Sequence, residues 1–196
     1  MPKKDEGNQK QRFLNWEFLT LSINASMQTR AGGSIYRERK DNEDQGEYNK
    51  QKEIFRKSFG QELDNIVTDR GYRTLYNVTQ EEHAKNISTL ADTLTERHCD
   101  ILRNGRFRIG SAQKGLNLYL KYLWCAGEII EPPHCPIDGG LIVKLGSAFR
   151  GNSWTQIDDI EQYKKVIAAA QNKGKKEAKS LAEWELHYWN DENVKY

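Results

Sequence analysis

Apolar residues recur along most of this chain at helical rather than alternating intervals. Between Tyr48 and Asp69 they fall at Ile54, Phe55, Phe59, Leu63, Ile66 and Val67, and Gly71 closes the run; that spacing predicts an amphipathic helix. A second helix is signalled by Thr79 followed three residues later by Glu82, a capping box, with Ile87, Leu90, Ala91 and Leu94 on one face and Ile101 and Leu102 carrying the pattern toward Gly105. Thr155 with Asp158, and Ser180 with Glu183, repeat the start signal ahead of Ile160, Tyr163, Ile167 and Ala170, and of Leu181, Trp184 and Tyr188. Phe13 to Met27 is rich in apolar residues without a clean period and reads as a short helix or an extended buried piece. From Thr29 to Asn49 the apolar content collapses, which predicts a loop or mobile arm. LIVKL at 141–145 reads as a short strand or extended segment, and NKGKKEAK at 172–179 as a solvated basic linker.

The stretch from Arg103 to Asp138 departs from this amphipathic pattern. Ser111 is placed to cap a helix reaching about Gly127, in which Leu116, Leu118, Tyr119, Leu120, Tyr122, Leu123, Trp124 and Cys125 cover most of the circumference. A helix apolar on nearly all sides is one surrounded by protein. Its exceptions, Lys114, Asn117 and Lys121, are spaced i, i+3 and i+7 and form one polar stripe. Between Ile101 and Gly127 there are five Arg or Lys residues and no Asp or Glu, so the segment is suited to meet an anion. Pro132, Pro133 and Pro136 then stiffen a loop that ends in Ile137-Asp138, and Gly139-Gly140 permit a sharp turn.

Composition narrows the classes. A chain of 196 residues has room for one sizeable core or two small lobes sharing a cleft, so a single compact domain over 1–196 is expected. Mean hydropathy is −0.87, yet five Trp, nine Tyr and six Phe provide large apolar faces that a disordered chain lacks. The net charge of +2 is small, and only its uneven distribution points to a partner. No apolar run approaches the ~20 residues of a membrane span, and MPKKDEGNQKQR lacks the apolar stretch of a secretion signal. Three cysteines without close pairing, Cys99, Cys125 and Cys135, suit free thiols in a cytoplasmic monomer. The first two are expected to be buried as small hydrophobes.

Gly110-Ser111-Ala112-Gln113-Lys114, preceded by a helix and a short turn, resembles the helix-hairpin-helix of the DNA glycosylase superfamily, in particular its 8-oxoguanine-type bifunctional members. In that pattern a hairpin glycine is followed by a small residue two positions on and a lysine two beyond, where Gly110, Ala112 and Lys114 stand. A loop then leads to a valine or isoleucine and an aspartate, matched by Ile137-Asp138. Arg108-Ile109 replace the usual Leu-Pro, and 24 positions separate Lys114 from Asp138, more than in most members. The resemblance implies a mostly α-helical protein with a cleft between two helical lobes, acting on duplex DNA with a flipped nucleotide and needing no metal or other cofactor. It implies that Lys114 displaces the base and forms a Schiff base with the opened sugar, with Asp138 as the essential carboxylate.

The chemistry of the residues leads in the same direction. Backbone N–H groups at a glycine turn entering a helix can receive a phosphate, and Arg103, Arg106, Arg108, Gly110, Ser111, Gln113 and Lys121 are the candidate DNA contacts. Desolvation against an apolar helix, with Lys121 nearby, would favour the neutral, nucleophilic amine of Lys114. Asp138 would activate it and stabilise an oxocarbenium-like transition state. Asn117, Trp124, His134 and Trp154, with Tyr119 and Tyr122, are candidates for the pocket of an extruded base. The plainer alternative has Lys114 reaching solvent while Asp138 caps a turn.

Two further readings belong to other classes. A non-catalytic nucleic-acid-binding module would use the same basic turn. A metal-dependent phosphodiesterase would draw on Asp158, Asp159 and Glu161. A zinc site from His98, Cys99, Cys125, His134 and Cys135 would need adjacent His-Cys pairs to converge on one ion, without any CxxC or HxxxH spacing. Both repair and defence against modified viral DNA are compatible with an enzyme of this size.

Overall fold

A computed structural model of the chain describes residues 4–27, 33–74, 77–149 and 153–194. Seven α-helices run through the described residues: α1 (Lys4–Met27), α2 (Gln45–Asp69), α3 (Gln80–His98), α4 (Ile109–Cys125), α5 (Gly139–Leu145), α6 (Ile160–Lys176) and α7 (Leu181–Asn193). The protein is therefore mostly α-helical. Among the described residues no strand forms, and the one β feature is an isolated antiparallel bridge between Tyr36 and Leu102. No helix in the described residues is long and apolar enough to cross a membrane.

α4 is the central element, as its all-round apolar character predicts. Thirteen of its 17 residues are buried, and α1, α2, α3 and α6 pack around it. Phe55 and Phe59 of α2 meet Phe107, just ahead of α4, at ring-centroid distances of 5.3 and 5.0 Å, mostly edge to face. Burying each of these rings contributes about 2–3 kcal/mol. Gly115 makes the approach possible, since a Cβ there would lie 2.5 Å from Cζ of Phe59.

The capping boxes at Thr79/Glu82 and Ser180/Glu183 form as the sequence predicts, each with the side chain on the N3 amide and the glutamate returning to the cap. Other boundaries differ. α3 ends at His98, because a 3-10 turn at Arg103–Gly105 intervenes before α4. Thr155 does not start α6. It is buried in a 3-10 turn at Trp154–Gln156, and Asp159 is the cap, accepting from the amides of Glu161 and Gln162. The expected strand at LIVKL is helical, because Asp138 caps it through the Leu141 amide and turns the segment into α5. Phe13–Met27 is resolved as helix throughout, and α6 continues through most of the expected basic linker to Lys176.

The expected arm at 29–49 is largely fixed in place, apart from residues 28–32, which lie outside the described residues. α2 already begins at Gln45, capped by Asp44. Ahead of it, Arg37 N–H donates to the Ile101 carbonyl (3.0 Å) and Arg103 N–H to the Ile35 carbonyl (2.8 Å), pinning the strap alongside the α3–α4 connection. Tyr36 is buried there, and the Arg37 guanidinium binds both oxygens of Glu43 at 2.8 and 2.6 Å.

Candidate active site

Lys114 and Asp138 meet. Nζ of Lys114 donates to Oδ2 of Asp138 at 2.9 Å, while Oδ1 of the same carboxylate accepts the Leu141 amide at 3.0 Å. The helix start of α5 thus orients the carboxylate, and α4 delivers the lysine to it. The lysine side chain is 11% exposed and the aspartate 37%, so the pair opens to solvent on the carboxylate side. Burial opposes ionisation of Asp138, but the charge of Lys114, the Leu141 N–H and the Lys114 hydrogen bond outweigh it, holding the carboxyl below its ordinary range.

A second ion pair lies farther along the same helix face. Lys121 Nζ donates to Oε2 of Glu185 on α7 at 2.7 Å, both side chains being almost wholly buried. Burial pushes the Glu185 carboxyl upward, and the attraction of Lys121 and Lys114 offsets this only in part. α7 continues past the first pair: Tyr188 packs against Gly140, and the Lys144 ammonium sits 4.7 Å from the Tyr188 ring. Glu185 was not singled out from sequence, although it occupies the i+4 position of the stripe Leu181, Trp184, Tyr188, where an acid faces inward.

This geometry corrects the expected role of Lys121. It is not a phosphate contact, because it is buried and paired with Glu185. Gln113 is likewise withdrawn from DNA: its amide donates to the carbonyls of Gly110 and Ile137 and accepts from the Ile137 amide and Asn117, all inside the core. The Gly110 N–H, expected to face an anion, donates instead to the Ile157 carbonyl at 2.8 Å. Ser111 does not cap α4. It lies within the first turn, buried, and the cap position Arg108 has no side-chain hydrogen bond to the helix.

Gly110 is needed for close approach. A Cβ there would stand 1.9 Å from the Trp154 carbonyl oxygen and 3.0 Å from its carbon. Both are backbone atoms that cannot rotate away, so Gly110→Ala must displace the turn at 154–157. The expected cost is roughly 3 kcal/mol, read as a lowered thermal midpoint; an unchanged midpoint would show the turn to be freely displaceable.

Arg103, Arg106 and Arg108 do gather at one place. Together with Ser34, Ser111 and Thr155 they line a small concavity over the start of α4, with about 20 Å³ at its floor, enough for one oxygen of an anion or a water. Arg106 pairs with Asp158 at 3.0 Å, and Arg108 donates to the Thr155 carbonyl at 3.0 Å. Three guanidiniums therefore line the concavity, one of them neutralised by Asp158.

The expected base-pocket residues do not converge. Asn117 is fully buried at the centre of a polar network: it accepts from His83 Nε2 at 2.6 Å and donates to Gln113 Oε1, the Cys135 carbonyl and Tyr163 Oη. His134 is buried beside it, 2.8 Å from the same Tyr163 hydroxyl. Tyr119 is core, and Tyr122 stacks on Phe18 of α1. Trp124 and Trp154 are half-buried, the first at the far end of α4 and the second in the turn against Gly110.

The network has a pH signature. Since the Asn117 oxygen only accepts, His83 donates from Nε2 and takes the Tyr72 hydroxyl on Nδ1, which fixes a neutral ring. Burial pushes its titration down to about 4 against the Asn117 hydrogen bond, and burial with His83 alongside holds His134 well below its ordinary value. In the unfolded chain both titrate near 6.5. Between those limits the unfolded chain binds more protons, so stability is full at neutral pH and falls as pH drops from about 6.5 toward 4. At pH 5 the loss expected from His83 is about 2 kcal/mol, measurable as a falling urea midpoint. A midpoint constant between pH 7 and pH 5 would contradict it.

Among the described residues no group of three or more His, Cys, Asp or Glu is arranged to hold a metal ion. Cys99 and Cys125 are exposed rather than buried, and Cys135 is buried. Asp158 and Asp159 serve Arg106 and the start of α6 respectively. No protein-family model, curated protein or solved structure matches the chain.

Proposed function

We propose that this protein is a DNA glycosylase, with strand-lyase activity, in which Lys114 is the nucleophile and Asp138 its carboxylate partner. The observation that carries the reading is the 2.9 Å contact between these two groups, in a place where the lysine is largely covered and the aspartate partly open. In this reading α3 and α4 with their connection form the helix-hairpin-helix, and the concavity lined by Arg103, Arg106 and Arg108 receives the DNA backbone. Binding should then weaken steeply with salt, because each phosphate neutralised releases counterions.

The chemistry follows from the pair. At rest Asp138 holds the Lys114 ammonium in place. On attack the amine gives its proton to Asp138, its lone pair forms the bond to C1′, and the glycosidic bonding pair leaves with the base. The departing base takes up the proton, directly or from Asp138. A second amine proton then passes to O4′ as the C1′–O4′ bond breaks, and the nitrogen lone pair forms the C1′=N bond of a Schiff base with the opened sugar. Loss of a C2′ proton then expels the 3′ phosphate, and water hydrolyses the imine to free the lysine.

Incubation with a panel of duplexes, each carrying a different modified base, followed by alkali, tests the reading. Abasic product from at least one duplex is expected, and borohydride should trap a covalent protein–DNA adduct with it. A second reading, a binding module without catalysis, is favoured by how thoroughly Lys114 is covered. Duplex binding with neither abasic product nor adduct from any member of the panel would establish it and end the enzymatic proposal.

A further inference from the structure

A glycosylase needs a receptacle for the extruded base, and the residues expected to form it are taken up elsewhere. Asn117 and His134 belong to a sealed polar network. Trp124 lies ten residues beyond Lys114, about 15 Å along α4. A different depression lies between α5, the turn at Trp154–Gln156 and the first half of α6.

We infer that this depression receives the base; the inference rests on the glycosylase reading. Its volume is about 370 Å³, inside the range of about 300–1,000 Å³ typical of small-molecule sites. The back is apolar, formed by Ile142, Ile157 and Val166, and Phe149 stands half-buried at the side. The exposed amides of Gln156 and Gln162 stand at the rim. Apolar walls with an aromatic ring suit the faces of a planar heteroaromatic base, and amides, which both donate and accept, suit its hydrogen-bonding edge.

Position supports the assignment as much as lining. The Ile157 carbonyl accepts the Gly110 amide, so this wall is fastened to α4 one turn before Lys114. The Ile142 amide donates to the Asp138 carbonyl, which puts the other wall one turn after Asp138. Ile142 of the wall thus lies about one helical pitch, 5.4 Å, along the chain from Asp138, and Ile157 is bonded to the residue about one pitch before Lys114, while neither member of the ion pair lines the depression itself. The arginine concavity shares the same turn through Thr155. Phosphate grip, nucleophile and base receptacle are therefore grouped around the start of α4.

The test separates this inference from the one it rests on. Free adenine, hypoxanthine and uracil, each at millimolar concentration, are added to the protein while isoleucine and valine methyl NMR signals are followed. Saturable shifts of Ile142, Ile157 and Val166 are expected, with the core signals of Ile23 and Ile87 unmoved and the shifts lost in Val166→Trp. Gln162→Trp, altered only at the exposed rim, serves if Val166→Trp does not fold. In the same variants excision from the active duplex should fall at least about tenfold, while borohydride trapping on a duplex with a preformed abasic site stays within about twofold. Absence of methyl shifts at the three positions, or an equal fall in excision and trapping, overturns the assignment. If the unaltered protein neither excises nor traps, the glycosylase reading fails, and the methyl shifts alone decide whether the depression takes a base.

Discussion

Lys114→Ala is expected to abolish the borohydride adduct and to lower single-turnover excision by at least about 10³-fold, because among the described residues no other lysine forms an ion pair with Asp138. The fold should survive. The carboxylate left behind is more than a third exposed and keeps the Leu141 amide, so the stability change should be about 1 kcal/mol. Asp138→Asn separates the charge of this residue from its structural duty. Asparagine caps a helix as well as aspartate does, so α5 should persist with little change in thermal midpoint. Excision should nevertheless fall by about 10²–10³-fold, the usual magnitude for a charged group acting on a transition state. An adduct that persists in Lys114→Ala would remove the lysine from the mechanism. Full activity in Asp138→Asn would reduce the aspartate to a helix cap.

The largest expected loss of stability belongs to Asn117→Ala. Its side chain has four polar partners within hydrogen-bond distance, His83 on its oxygen and Gln113, the Cys135 carbonyl and Tyr163 sharing the two N–H groups of its nitrogen, and it is wholly enclosed. Alanine would leave these partners facing a void, and an unsatisfied buried polar group costs about 1–3 kcal/mol. Shared rearrangement should hold the total near 3–5 kcal/mol, a drop in thermal midpoint of about 10 °C for a chain of this length. Circular dichroism melts would measure it. A loss under about 1 kcal/mol would mean that water takes over the site, and that the network orders little of the structure.

How much of this was legible beforehand differs by element. The long helices were, because a 3.6-residue apolar period is a local signal that α2, α3, α6 and α7 all carry, and in α3 and α7 a threonine or serine capping box marks the start as well, whereas α2 and α6 begin at Asp44 and Asp159. α5 was not: its five residues LIVKL look extended by composition, and the deciding term is a single carboxylate at position 138 capping from outside the run. For α4 the pattern gave a helix enclosed over most of its length, but Leu118, Tyr122 and Trp124 are only half-buried and Cys125 is exposed, and the environment of its polar stripe was not legible. Periodicity says that Lys114, Asn117 and Lys121 share a face, not that an ion partner from a distant loop, a sealed histidine network and Glu185 of α7 meet that face in turn. Such contacts depend on tertiary packing that no window of sequence contains. Gly110 is the sharpest instance, expected to open a site for phosphate and found closed against the Trp154–Ile157 backbone.

The lone bridge joining Tyr36 to Leu102 bears on the order of assembly. It spans 66 positions and gains only two backbone hydrogen bonds, so closing it early in folding would cost more chain entropy than it returns. Attachment must wait until the helices on either side have already brought 101–103 alongside. The segment carrying Tyr36 is therefore the last piece laid down and the first released under mild denaturant, and its amides should exchange ahead of those in α4.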